Sequence, residues 1–268
     1  MSELHKACER GNSKQVTSLL STENINTQNR DGETPLYIAS KYGYLYTVKV
    51  LASRKECNFN IPDKQGNTPL HIACVHGHHS VIEFLVADQR CQLSTQNRGG
   101  KSPLHIACEY GDLYTVKVLA SRKECDINNQ DRQGNTPLHI ACMIHHVSMV
   151  QFLIADQRCQ LNPQNKLAMG ETPLHIASRH GDLDITKALV SREECNLNVV
   201  DIKGNSPLHL ACKHGHHFTV EFLVADQRCQ LNKKNSEMNT PLHIACHTKA
   251  FSIIRLLLKM CDPWVMCG

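Results

Sequence analysis

Asp131-Arg132-Gln133-Gly134-Asn135-Thr136-Pro137-Leu138-His139-Ile140-Ala141 decides the fold, because its centre keeps returning. A Thr/Ser-Pro-Leu-His/Tyr tetrapeptide starts at Thr34, Thr68, Ser102, Thr136, Thr172, Ser206 and Thr240, in steps of 34, 34, 34, 36, 34 and 34 residues. A fixed period in this range means one supersecondary unit stacked many times, with a long surface as its working part. A single catalytic pocket is correspondingly disfavoured.

The unit that begins Asp63-Lys64-Gln65-Gly66-Asn67 shows how each one is built. Thr68 caps a helix through its hydroxyl, Pro69 suits the first helical position because its missing N–H has no partner there, and Leu70, Ile72 and Ala73 form a narrow apolar face. Gly77 supplies the left-handed residue that ends this short helix. Val81-Ile82-Glu83-Phe84-Leu85-Val86 then reads as a second, more apolar helix, and the polar stretch from Cys91 to Lys101, with Gly99 and Gly100, as a turn or finger. Neither helix can bury its apolar face alone, so neighbouring units must supply most of the stability.

With 268 residues, 41% apolar and 20% charged, the chain can bury a substantial core. The repeats fill a length that ordinarily suggests about two domains. One domain over 1–268 is therefore expected: an N-terminal unit at 1–30, seven motif-bearing units over 31–259 and a tail at 260–268. The net charge of +4 is spread without a Lys/Arg block, so it does not point to nucleic acid or an anionic membrane. No apolar run approaches the roughly 18 to 20 residues of a membrane span, and the N-terminus lacks the apolar core of a secretion signal. These features predict a monomer inside the cell, in the cytoplasm, with the nucleus as the alternative compartment.

Eleven of the fourteen cysteines fall in two series that keep the period of the repeat. Cys74, Cys108, Cys142, Cys212 and Cys246 follow the motif, and Cys57, Cys91, Cys125, Cys159, Cys195 and Cys229 sit near the ends of units. Equivalent positions in stacked helices lie roughly 8 to 10 Å apart, beyond the roughly 7 Å Cα separation a disulfide tolerates. Small apolar packing in a reducing compartment is the reading that follows.

At Asp131 to Ala141, and at its counterparts across nearly the whole chain, the sequence resembles the ankyrin repeat family. The resemblance implies an all-α, L-shaped helical-repeat solenoid of helix-turn-helix pairs with finger loops, about eight units in all. Leu4-His5-Lys6-Ala7 with Gly11 and Val16 resembles an N-terminal unit that lacks the Thr-Pro start. Departures are visible too. Val48 to Asn60 is one residue longer than the family pattern, and charged tracts, Ser53-Arg54-Lys55-Glu56 and Ala87-Asp88-Gln89-Arg90, stand where the family has Gly after the second helix. The two tract types alternate, and Tyr46 to Cys57 is identical to Tyr114 to Cys125, which points to pairwise duplication. His145 and Lys249 replace the glycine that ends the first helix, at a cost if the left-handed conformation is kept.

Six motif histidines (His71, His105, His139, His175, His209, His243) have no nucleophile or carboxylate at matching spacing, and the resemblance implies that they bond the neighbouring finger. His76, His78 and His79 with Cys74, echoed at His214, His216 and His217, lack the spacing of structural zinc sites. No phosphate loop or nucleophile elbow is present. No catalytic, metal or cofactor residue is therefore assigned, and the protein is not expected to be an enzyme.

The resemblance implies that partners are held by finger tips and by two residues near the end of each first helix, on the concave side. The candidate partner-binding residues are Lys41, Tyr42, His76, Tyr110, Met143, Ile144, Leu167, Met169, Arg179, His180, Lys213 and His214. Met143 and Ile144, with the two-residue insertion that brings Leu167 and Met169 into a finger, read as an apolar centre within a polar rim. The competing reading packs those four side chains under a rearranged finger. The last helix is apolar (Ile253, Ile254, Leu256, Leu257, Leu258) where a terminal unit usually presents a polar face, and the tail with Trp264 is expected to fold back over it. The function expected is that of a non-enzymatic protein-protein interaction module. A metal- or redox-responsive Cys/His-rich repeat protein is the alternative.

Overall fold

The structure, a computed structural model, describes residues 2–166 and 169–261. Leu167, Ala168 and the tail with Trp264 lie outside the described residues, so the expected back-folding of the tail does too. Among the described residues there are sixteen α-helices and no strand. The chain divides at Arg132/Gln133 into two compact units.

The first unit holds α1 (Glu3–Glu9), α2 (Ser13–Leu19), α3 (Pro35–Lys41), α4 (Leu45–Ala52), α5 (Pro69–Val75), α6 (His79–Ala87), α7 (Pro103–Glu109) and α8 (Leu113–Ala120). The second holds α9 (Pro137–Met143), α10 (Val147–Ala155), α11 (Pro173–His180), α12 (Leu183–Val190), α13 (Pro207–Lys213), α14 (His217–Ala225), α15 (Pro241–His247) and α16 (Phe251–Cys261). Within each unit, odd-numbered helices pack on odd-numbered neighbours as an inner layer and even-numbered on even-numbered as an outer layer. This is an all-helical repeat solenoid of paired helices.

Most inner helices have only seven residues, too few to persist alone in water. Their ends are held by the motif itself. In α9, Thr136 Oγ1 accepts from the His139 backbone N–H at 3.4 Å, and His139 Nδ1 accepts from the Thr136 N–H at 3.1 Å. That bond fixes the tautomer, so Nε2–H donates to the Glu171 carbonyl of the next finger at 3.1 Å. His71 and His175 do the same with the Lys101 and Asn205 carbonyls. Burial holds both imidazoles neutral, with pKa down to about 4. In α3 a tyrosine stands in this place, and its longer reach takes the hydroxyl to Asp63 Oδ2 at 2.7 Å.

Fingers join through a backbone ladder. In the first unit Lys64 N–H donates to Asp31, Arg98 to Gln65 and Arg132 to Gly99; in the second Lys166 donates to Gln133, Ile202 to Met169 and Ser236 to Lys203, all at 2.7–3.0 Å. The crowding explains the tip glycine: a Cβ on Gly100, at φ +74, would stand 2.5 Å from the Arg132 nitrogen. The two-residue insertion leaves the ladder intact because Met169 takes the acceptor position, with a left-handed φ of +76.

The charged tracts settle how the outer helices end. Arg90 is clamped by Asp88 (2.7 Å) and donates to the exposed carbonyls of α4 at Ala52 (2.8 Å) and of Arg54 beyond it (3.1 Å). Arg228 repeats this on Val190 at the end of α12, and Arg192 donates to Ile154 in α10. A cation on the carbonyl end of a helix does the work of the missing C-terminal glycine. At the inner helices, by contrast, the left-handed residue is kept: His145 and Lys249 sit at φ +59 and +57. Each costs about 1 kcal/mol relative to glycine.

Candidate interaction surface

Stacking consumes the five residues after the proline of each internal motif, most often Leu, His, Ile, Ala and Cys, all of them buried. What it leaves outward is the C-terminal end of each inner helix and the finger that faces it. In the first unit Lys41 closes α3, with Tyr42 as its cap residue, and the Tyr42 ring stacks on Tyr44 with centroids 6.0 Å apart. His76 is exposed and stacks on His78. Tyr110 is the most open of the predicted aromatic residues, at 59% exposure. In the second unit Met143 is half-buried and Ile144 and Met169 are exposed, as are His180, Lys213 and His214. Leu167 lies outside the described residues.

Several candidates have partners within the chain. Lys41 Nζ meets Glu33 at 2.8 Å, and Arg179 meets the buried Glu171 at 3.0 Å. Burial raises the Glu171 carboxyl and the Arg179 guanidinium offsets that rise. The same contact occurs with reversed sign in α7, where Glu109 pairs with Lys101 at 2.7 Å. Finger root and helix end are thus charge-complementary in alternate units. The sequence carried a signal for this contact, Lys and Glu exchanging places between Glu33/Lys41 and Lys101/Glu109, that the motif reading passed over.

The histidine clusters have structural tasks as well. His78 Nε2 donates to the Lys41 carbonyl and His216 Nε2 to the Arg179 carbonyl, both at 2.9 Å, so each ring covers the end of the preceding inner helix. A Cβ on Gly43 or Gly181 would intrude on these rings at 2.6 and 2.4 Å, which fixes glycine beneath them. His145 bonds Asp182 at 2.6 Å and meets His180 edge-on. Burial lowers the pKa of His76, His180 and His214; His78, Arg179 and His216 respectively are the largest electrostatic contributors to that fall. Among the described residues no group of three or more His, Cys, Asp or Glu side chains is placed to hold a metal ion.

Among the described residues the thiols, Cys246 aside, are buried. Burial pushes Cys8, Cys57, Cys91, Cys159, Cys195, Cys212 and Cys229 up to about 12, so their reactive thiolate form is scarce near neutral pH.

Two exposed residues escaped the sequence reading. Ile202 and Met238, at finger tips, are 70% and 65% exposed. With Met169 they give three successive fingers of the second unit an apolar tip, where the first unit carries Lys64 and Arg98. Ile202 also lies against the inserted finger, its Cγ2 about 3.0 Å from where a Gly170 Cβ would be. The signal was an apolar residue in a polar register, and only the insertion drew notice.

The sequence model of the family described as ankyrin repeats (3 copies) matches residues 4–97, 53–131, 86–165, 104–201 and 174–267. Comparison with curated proteins finds no match. Among the described residues no helix is long and apolar enough to cross a membrane.

Proposed function

The chain belongs to the ankyrin repeat family, and on that premise we propose that it is a non-enzymatic module that holds a partner protein between its fingers and the ends of its inner helices. The observation that carries this reading is the set of apolar side chains left exposed where stacking has no use for them: Tyr42 and Tyr110 in the first unit, and Ile144, Met169, Ile202 and Met238 in the second. Water exclusion from such side chains inside a polar rim is what supplies affinity in protein interfaces. A standard interface buries roughly 1,600 Å², an area that takes several fingers and helix ends together.

Lys41 and Arg179 contribute less charge to this surface than their sequence suggests, since Glu33 and Glu171 neutralise them. Met143 and Ile144 belong to the surface rather than to the core in this reading, with Met169 on the neighbouring tip. A redox-responsive function is disfavoured by the burial of the thiols among the described residues, Cys246 aside. The protein is taken to act as a monomer, in the cytoplasm or nucleus.

The test is a variant carrying Met143→Gln, Ile144→Ser, Met169→Asn and Ile202→Ser, with asparagine chosen because it tolerates a left-handed backbone. Affinity capture from the source cell should lose its specific partner while the melting temperature stays put. A variant that unfolds instead assigns these side chains to packing, and unchanged capture removes them from the interface.

A further inference from the structure

In the seven motif-bearing units the residue eight positions after the root of the finger lies at the end of the inner helix, or one short of it in α11, and four of these residues carry a fixed charge: Lys41, Glu109, Arg179 and Lys213. Three are neutralised by their roots, Glu33, Lys101 and Glu171. Lys213 is the exception, because its root is Asn205. That amide donates to Asp201 Oδ2 at 3.1 Å, and its Oδ1 accepts from Asn235 at 2.8 Å.

Lys213 stands at an open cleft of about 320 Å³ in the second unit, bounded by the fingers at 201–205 and 235–239 and by the ends of α13 and α15. Lys203, Glu237, Ile244, His247 and Thr248 line it as well. The asparagines of the fingers are spent on one another and on Asp201, and the Thr248 hydroxyl donates to carbonyls of its own helix. Glu237 accepts from Asn239 at 3.3 Å. Among the lining side chains two ammonium groups stand against one carboxylate, an excess of positive charge; the Asp201 carboxylate is buried and held by the Lys203 and Asn205 N–H groups and the Asn205 amide. The exposed tips Ile202 and Met238 belong to the same two fingers.

We propose that this cleft takes a carboxylate side chain, Asp or Glu, of the partner protein, with an adjoining apolar residue of that partner on the Ile202 and Met238 tips; the assignment rests on the partner-binding reading of this face. An ammonium–carboxylate contact in a partly desolvated cleft is a charge-assisted hydrogen bond, stronger than its neutral counterpart. A phosphate fits less well. The cleft offers no guanidinium fork, and Glu237 in its wall repels a doubly charged oxyanion.

The experiment is selection of a random peptide display library on the full chain, followed by affinity measurements of the selected peptides on the wild type, Lys213→Gln and Lys203→Gln/Lys213→Gln. The expected result is an Asp- or Glu-containing consensus beside an apolar residue, with affinity reduced about tenfold by Lys213→Gln, further by the double change, and by added salt. Peptides without an acidic residue, or acidic peptides indifferent to both variants, overturn the carboxylate assignment while the partner-binding reading stands. A short DNA duplex bound as tightly and with the same sensitivity to Lys213→Gln transfers the cleft to phosphate and overturns it as well. A library that yields nothing above background on the wild type removes both readings.

Discussion

The hexapeptide Pro-Leu-His-Ile-Ala-Cys occurs four times, at 69–74, 103–108, 137–142 and 241–246, and its two copies in the second unit have two different outcomes. In α9 all six residues are buried. In α15 only Pro241 and Ala245 are, while His243 and Cys246 face solvent. Each copy forms a capped helix of the same length. What differs is the next finger: His139 Nε2–H donates to the Glu171 carbonyl, whereas α15 is the last inner helix among the described residues. Local sequence makes the helix, and the neighbour makes the core. The N-terminal pair differs again, since α1 turns Glu3 and Glu9 outward while burying Leu4, His5, Ala7 and Cys8. α16, by contrast, exposes Phe251 and Leu258.

The sharpest way to break this comparison is to truncate the same leucine in both copies. Leu138→Ala should cost about 2 to 5 kcal/mol, and Leu242→Ala less than about 1 kcal/mol, in denaturant unfolding. Equal losses would mean that α15 is as closely packed as α9.

Acid should expose the same dependence on a neighbour through His71 and His175. Burial lowers both to about 4 from an ordinary value near 6.5. Between those limits the unfolded chain binds protons that the folded chain refuses, so their contribution is complete above about pH 6.5, declines as pH falls, and is gone below about pH 4. Each accounts for about 3 kcal/mol of that decline at most. Unfolding titrations at a series of pH values should show the slope, and His175→Gln should remove its share; a flat profile would contradict the buried neutral tautomer.

The fold was legible because stacking demands the same residues at the same spacing in every unit, and Thr136-Pro137-Leu138-His139 states that demand in four residues. The outer-helix exits were not. Arg90 finds its carbonyls in the preceding unit, on Ala52 and Arg54, so its tract reads only as charge until the repeats are stacked. The proposed interaction surface was half legible. Tyr42, Tyr110 and Ile144 stand out as side chains that stacking leaves over, but the neutralisation of Lys41 and Arg179 depends on the finger folding back onto its own helix. Lys213 stood among the candidate residues with nothing to set it apart, for the same reason. Its difference appears only against the three paired positions.

Hydrogen exchange on the chain with and without its captured partner tests the account most directly. Protection on binding is predicted at the inner-helix ends and finger tips, in segments holding Tyr42, Tyr110, Ile144, Met169, Ile202 and Lys213. Protection confined instead to the starts of the outer helices, where Tyr46, Tyr114 and Phe218 are also exposed, would contradict it.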